Sequence, residues 1–262
     1  MKWLKRLGIL ALSFYLLLCG ALYFMQERII FLPDKLPHDY KFRKGEELDL
    51  TTADGVTLNC LWLKEPKAKG VILYLHGNRG SNSRCLYQAE TMAGNGYDIF
   101  MPDYRGYGKS GGSIASEAQL RADVQLAYDF LKKQYPEEKI VVAGYSLGSG
   151  MAAFLAAHNN PRQLLLIAPY FSMTDMKNRR APFLPDFLLK YPLSSAEYLK
   201  EVKAPVTLFH GTRDEVVPFD CSEKLQALRP DHFQLIAMNE NHRSVIFSAN
   251  FRQTVSKLLT RE

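Results

Sequence analysis

Cysteine is scarce in this chain, and the four present, Cys19, Cys60, Cys85 and Cys221, are dispersed. That dispersal gives no disulfide framework, although one bridge among the last three is compatible with it. No Asn-x-Ser/Thr acceptor occurs, and no Cys/His spacing suits zinc, so no metal is expected. Basic residues form no stripe interleaved with aromatics, which argues against nucleic acid as a partner. Beyond an N-terminal group, Lys177, Arg179 and Arg180 are the only tight basic cluster. Internal repeats and low-complexity stretches are missing as well, which removes solenoids and disordered tails.

What is present is ordinary globular composition, 47% hydrophobic and 23% charged, over 262 residues. That suffices for a single α/β domain. The N-terminus differs from everything after it. Residues 7–25 carry no charge, a length that crosses about 30 Å of hydrocarbon. Lys2, Lys5 and Arg6 precede this run, and Trp3, Tyr15 and Tyr23 supply interfacial aromatics. An uncleaved single-pass anchor is expected, with its N-terminus cytoplasmic and the body on the non-cytoplasmic side. Arg28, Lys35, Lys41 and Arg43 after the span blunt that charge contrast. A cleaved signal peptide and a buried amphipathic start are the competing readings. The chain thus divides into an anchor and juxtamembrane segment, 1–29, and a body, 30–262.

From residue 46 onward, strand and helix patterns alternate. Residues 46–52 and 57–63 read as a hairpin, because Asp54-Gly55 supplies the turn. Strands follow at 70–75, 97–102, 140–145, 164–167, 206–210 and 233–238. Helices are expected at 82–95, 116–134, from 149 to 159, near 221–228 and from 244. A hairpin followed by β-α units implies a mostly parallel, twisted sheet with helices on both faces. Function then collects at the carboxyl ends of the strands. Residues 169–205 break the rhythm with five prolines and many aromatics, and are expected to form a small lid insertion. Its Tyr170, Phe171, Phe183, Leu184, Phe187, Leu188 and Leu189 suit an apolar pocket, although core packing explains them nearly as well.

The segment Gly144-Tyr145-Ser146-Leu147-Gly148 joins a β-branched strand to a small-residue helix. Strand, G-x-S-x-G and helix together describe a nucleophile elbow, a turn too tight for a Cβ at either glycine. A serine hydroxyl needs a base to take its proton, and the base needs an orienting carboxylate. Asp214 follows the strand ending near residue 210, and His242 follows the strand ending at residue 238. Both therefore fall at carboxyl strand ends, where they can converge on Ser146. The bland alternatives are that Asp214 caps a helix and that His242 is a solvated loop residue. Glu215 and Asp220 are rival carboxylates; His210 is expected inside a strand, buried. An oxyanion needs preorganised donors. The backbone N–H of Leu147 at a helix N-terminus is one candidate, and that of Asn78 in the loop His76-Gly77-Asn78-Arg79-Gly80 is the other. His76 is read as shaping this loop. Asp103 and Arg105 are read as pinning the loop Asp103–Gly112 by an internal ion pair. That loop lacks G-x-x-x-x-G-K-[ST] and is no nucleotide cradle.

The order H-G-N-R-G, D-Y-R-G-Y-G-K-S-G-G, G-Y-S-L-G, H-G-T-R-D-E-V-V-P and a terminal histidine resembles the α/β-hydrolase superfamily. With the apolar N-terminus and Phe31-Leu32-Pro33, it is similar to the membrane-anchored, single-span serine hydrolase branch. The resemblance covers roughly residues 30–260. It implies Ser146 as nucleophile, Asp214 as acid, His242 as base, and Leu147 and Asn78 as oxyanion donors through their backbones. One departure is that Asn239-Glu240-Asn241 stands where the family often has glycine near the histidine. The resemblance implies cleavage of a carboxylic ester or thioester, a small-molecule or lipid-like acyl substrate, without a cofactor. A peptidase or amidase of the same fold, or a non-catalytic membrane-tethered interaction protein, are the alternatives.

Overall fold

A computed structural model describes residues 2–260. The β-branched and aromatic runs of the body become eight strands of one sheet. They are β1 (Glu46–Thr51), β2 (Thr57–Leu63), β3 (Gly70–Leu75), β4 (Tyr97–Pro102), β5 (Ile140–Tyr145), β6 (Gln163–Ile167), β7 (Val206–Gly211) and β8 (Phe233–Met238). Their spatial order is β8-β7-β6-β5-β3-β4-β2-β1. The β1–β2 hairpin closes across Gly55, whose φ of +79° suits a residue without a Cβ. β2 also runs antiparallel to β4, and all other pairings are parallel. Strands β3 to β7 are buried at every position because helices cover both faces, so they read as unbroken apolar runs.

The helices are α1 (Lys2–Ile30), α2 (Asn82–Ala89), α3 (Glu117–Lys132), α4 (Leu147–His158), α5 (Met173–Arg180), α6 (Ser195–Glu201), α7 (Asp220–Ala227) and α8 (Ala249–Thr260). Side chains of α3, α4, α6 and α7 fill one core, and those of α2 and α8 fill the other. On α8, Phe251, Val255 and Leu259 recur every four residues and are all buried. Each such side chain contributes about 1.5–3 kcal/mol on burial. Three helices are shorter than their patterns suggest, and α8 starts at Ala249 rather than residue 244, after a separate 3₁₀ turn over Val245–Phe247. Ser116 caps α3 by accepting from Gln119 N, so it stands outside the helix. α2 tightens into a 3₁₀ turn, Glu90–Met92, before its glycines. All four cysteines are free and buried.

β4 and β5 lie on opposite sides of β3, so the chain reverses its direction of winding there. The crevice that this reversal leaves lies above the carboxyl ends of β3 and β5. α6 packs on α4 through Ala196 and Leu199, whereas α5 and the 3₁₀ turn Asp186–Leu188 line the space beside Ser146.

α1 has 29 residues, or about 43 Å at 1.5 Å per residue. Its most apolar window has a mean hydropathy of 2.1, and it is long and apolar enough to cross a membrane. Only 6% of that window is buried, so it does not behave as the core helix of a globular body. Its C-terminal end is nevertheless docked. Gln26 donates to Leu188 O at 2.7 Å and accepts from Lys190 N at 2.9 Å, and Glu27 meets Lys190 and the Tyr191 hydroxyl.

Candidate active site

The elbow after β5 is as tight as its composition requires. Ser146 sits at φ +50° and ψ −117°, a conformation L-residues adopt only when their surroundings over-determine it. A Cβ on Gly144 would stand 2.5 Å from Gly148 O, and one on Gly148 would collide with the backbone carbonyl of Leu75. Ser146 N donates to Ile167 O at 2.8 Å, tying the turn to the neighbouring strand. The hydroxyl is thereby lifted off the sheet, half-buried, at the start of α4.

Two loops from later strands reach it. His242 Nε2 lies 3.1 Å from Ser146 Oγ, and His242 Nδ1 lies 2.7 Å from Asp214 Oδ2. Asp214 Oδ1 accepts the N–H groups of Val216 and Val217, both at 2.8 Å, so its side chain closes a local turn and caps no helix. The Asp214 side chain is fully buried. Burial pushes its carboxyl up, but hydrogen bonds from His210 and His242, the His242 charge and the Val217 amide outweigh that. The net result holds Asp214 well below the usual carboxylate range. Glu215 is exposed, and Asp220 is engaged by Arg179 at 3.0 and 2.5 Å, so neither rival carboxylate meets His242.

Local chemistry also fixes the His242 loop. Asn241 Oδ1 accepts from Arg243 N and Ser244 N, and Ser244 Oγ accepts from Asn241 N. The asparagine thus closes a side-chain turn where the related pattern has glycine. Tyr145, the second residue of the elbow, donates its hydroxyl to His242 O at 2.9 Å. Sequence reasoning missed this tyrosine, since nothing in the pentapeptide marks its partner.

It also missed what His210 does. Its ring is buried at the end of β7 as expected, yet Nε2 lies 3.0 Å from Val217 O and 3.2 Å from Asp214 Oδ2. Both neighbours are acceptors, so the proton belongs on Nε2, and Nδ1 can accept from the Ser222 hydroxyl at 2.6 Å. The signal was the four-residue spacing from His210 to Asp214 across a tight strand-end loop.

The loop after β3 faces the serine from the other side. Leu147, Asn78 and Ser146 line one cavity. Leu147 N is in the first turn of α4 and has no intrahelical acceptor. The Asn78 peptide is held by its neighbours, because Asn78 O accepts from Leu32 N and the Tyr107 hydroxyl, and its side chain donates to Ile30 O at 3.1 Å. The Leu32–Pro33 segment pairs with Arg79–Gly80, so the chain leaving α1 braces this loop. His76 is fully buried, its ring tilted 42° against that of Tyr104, with Nε2 3.2 Å from Asp103 Oδ1.

The expected Asp103–Arg105 pair does not form. Arg105 instead bridges Asp123 on α3, at 2.5 and 2.8 Å, and Asp54 in the hairpin turn, at 2.6 and 2.8 Å. The chain turns between Tyr104 and Tyr107, which sends the two side chains apart. Asp103 then accepts from Asn82 N and faces His76.

A buried, mostly parallel eight-stranded sheet with a serine elbow after β5, and later strand ends that return a carboxylate and an imidazole to it, defines an α/β hydrolase. Residues 66–196 match the family described as serine aminopeptidase, S33, and the chain belongs to this family of hydrolases. It is 33% identical over 241 residues to protein bem46 of Schizosaccharomyces pombe, covering 82% of this chain and 78% of that one. It is 29% identical over 223 residues to the α/β hydrolase domain-containing protein WAV2 of Arabidopsis thaliana, covering 74% and 72%. An esterase of Pyrococcus furiosus, Pf2001, shares the fold with a TM-score of 0.70, at 22% identity over 88% of this chain and 98% of that one.

Proposed function

We propose that the protein is a membrane-anchored serine hydrolase that cleaves carboxylic esters or thioesters through an acyl-enzyme. The observation that carries this reading is the continuous relay from Ser146 Oγ through His242 to Asp214, at 3.1 and 2.7 Å. In the first half-reaction Ser146 Oγ attacks the acyl carbonyl carbon while its proton passes to His242 Nε2. The Leu147 and Asn78 amides receive the negative charge that develops on the carbonyl oxygen. Collapse of the tetrahedral species breaks the bond to the leaving alcohol or thiol, which takes the proton from His242. Water then repeats the sequence on the acyl-serine, releasing the acid. Asp214 stays ionised and holds the imidazole in the tautomer with the proton on Nδ1.

A peptidase reading has the family's description in its favour. An aminopeptidase needs an acidic side chain to pair the substrate's α-ammonium group. Among the described residues that line the cavity beside Ser146 there is no Asp or Glu, and Lys177 and Arg180 are the charged ones. That lining favours an uncharged acyl group. Lys2, Lys5 and Arg6 before the charge-free run support an N-terminus in the cytoplasm and a hydrolase domain, residues 30–262, across the membrane, whereas Arg28, Lys35, Lys41, Arg43 and Lys44 after it weigh the other way. Residues 169–205 act in this reading as its lid.

Labelling by a fluorophosphonate with mass mapping, together with turnover of a short-chain p-nitrophenyl ester, tests the chemistry. Label on Ser146 and loss of turnover in Ser146→Ala are expected. Full activity in that variant would sink the proposal. A reporter fused after residue 262 that reads cytoplasmic would overturn the orientation.

A further inference from the structure

The cavity that opens beside Ser146 has one wall that does not come from the hydrolase body. It measures about 380 Å³, within the range of pockets that hold a small ligand. Ser146 and Leu147 line it, as do Met176, Leu184 and Leu189 of the covering segment, residues 169–205. α1 lines it as well, through Cys19, Leu22, Tyr23, Gln26, Ile29 and Ile30. These residues recur at three- and four-residue intervals and so share one face of the helix. From Cys19 to Ile30 that face runs about 16 Å. Its upper half belongs to the charge-free run of residues 7–25, so the apolar helix and the cavity wall are partly the same residues.

The rim is apolar on the outside as well. Phe183 and Phe187 are 58% and 84% exposed in the covering segment, and the Tyr15 hydroxyl donates to Phe183 O. Leu16, Leu17 and Phe24 expose 60–77% of their surface on the same helix. Large apolar side chains left outside a folded body mark a surface covered by something apolar. Here the helix that carries them is long enough to span a bilayer. The attachment of α1 is also specific, since Gln26 bonds the covering segment at Leu188 O and Lys190 N.

We infer that the cavity is an acyl-chain site whose wall is the membrane helix itself, and that its substrate is a long-chain carboxylic ester resident in the bilayer, entering sideways along α1. This rests on the serine hydrolase reading above and adds to it the acyl length and the route of entry. The chain lies between α1 and the covering segment with its carbonyl at Ser146.

The test uses the full-length protein in phosphatidylcholine vesicles with 4-methylumbelliferyl butanoate and hexadecanoate. For the wild type, kcat/KM for hexadecanoate is expected to exceed that for butanoate at least tenfold. In Leu22→Trp, and independently in Cys19→Trp, that ratio is expected to fall at least tenfold while the fluorophosphonate label is kept. Hexadecanoate placed in the same vesicles as the enzyme is expected to turn over at least tenfold faster than hexadecanoate held in separate vesicles. A wild type that prefers butanoate, an unchanged ratio in both labelled variants, or equal rates from the two vesicle arrangements would each overturn the inference. The last result would indicate a water-borne substrate. Absence of labelling and of turnover with either ester in the wild type would instead defeat the serine hydrolase reading, and this inference with it.

Discussion

His210 Nε2 lies 3.2 Å from Oδ2 of Asp214, the oxygen that also meets His242. The carboxylate is therefore held between two imidazoles, with Ser222 behind the second one. His210 touches no reacting atom, so its role here is positioning. In His210→Leu, Asp214 loses a donor to its charged form, and its pKa rises from its depressed value. With the carboxylate that orients His242 held less firmly, kcat is expected to fall about tenfold or more with KM little changed. His210→Gln, which keeps a donor, should recover part of kcat. Purely structural damage would lower the fluorophosphonate-labelled fraction and leave kcat per labelled site in place.

Asp214 also links stability to acidity. Its folded pKa is depressed, so its contribution is fully present above the unfolded value of about 3.9 and is lost as pH falls through the folded value. Thermal melts of the wild type and Asp214→Asn should differ most near pH 6, and the gap should narrow as pH is lowered toward 3. Activity in Asp214→Asn is expected to fall about 10⁴-fold, because the amide no longer enforces the imidazole tautomer. A gap that widens on acidification would contradict the assignment.

Gly148 has no room for a methyl group, since a Cβ there would meet the Leu75 carbonyl and lie 2.7 Å from His76 O. Both belong to rigid backbone between β3 and the candidate oxyanion loop. Gly148→Ala should lower the melting temperature and remove fluorophosphonate labelling together. Gly20→Ala, where nothing lies within 4 Å, serves as the control and should change neither.

Arg105 joins the hairpin turn to α3 through Asp54 and the buried Asp123. Burial pushes Asp123 up, and the guanidinium opposes this. Removing Arg105 leaves a buried carboxylate without its partner, at a cost of about 3 kcal/mol. Arg105→Ala should unfold at markedly lower denaturant. The double variant Arg105→Leu with Asp123→Leu should recover much of that loss.

The strand and helix pattern was legible because it depends on local periodicity, and buried parallel strands show themselves as short unbroken apolar runs such as Val71–Leu75. The three side chains that meet at the candidate site could be named from strand-end positions alone. Each strand end delivers its following loop to one edge of the sheet, whatever the packing details. The partner of Arg105 was not legible, since a turn at Tyr104–Tyr107 separates it from Asp103 and a helix eighteen residues on supplies its acid. His210 showed only its burial.

The succession of strands along the chain, the elbow at Ser146 and the apolar length of residues 7–25 follow from the sequence by itself, because each is set by spacing along the chain. Which groups surround the Asp214 carboxylate, and that α1 doubles as a wall beside Ser146, were decided only by tertiary structure. His242 stands 28 positions beyond Asp214, and the α1 contacts join residues more than 160 positions apart, so only packing determines that these side chains meet.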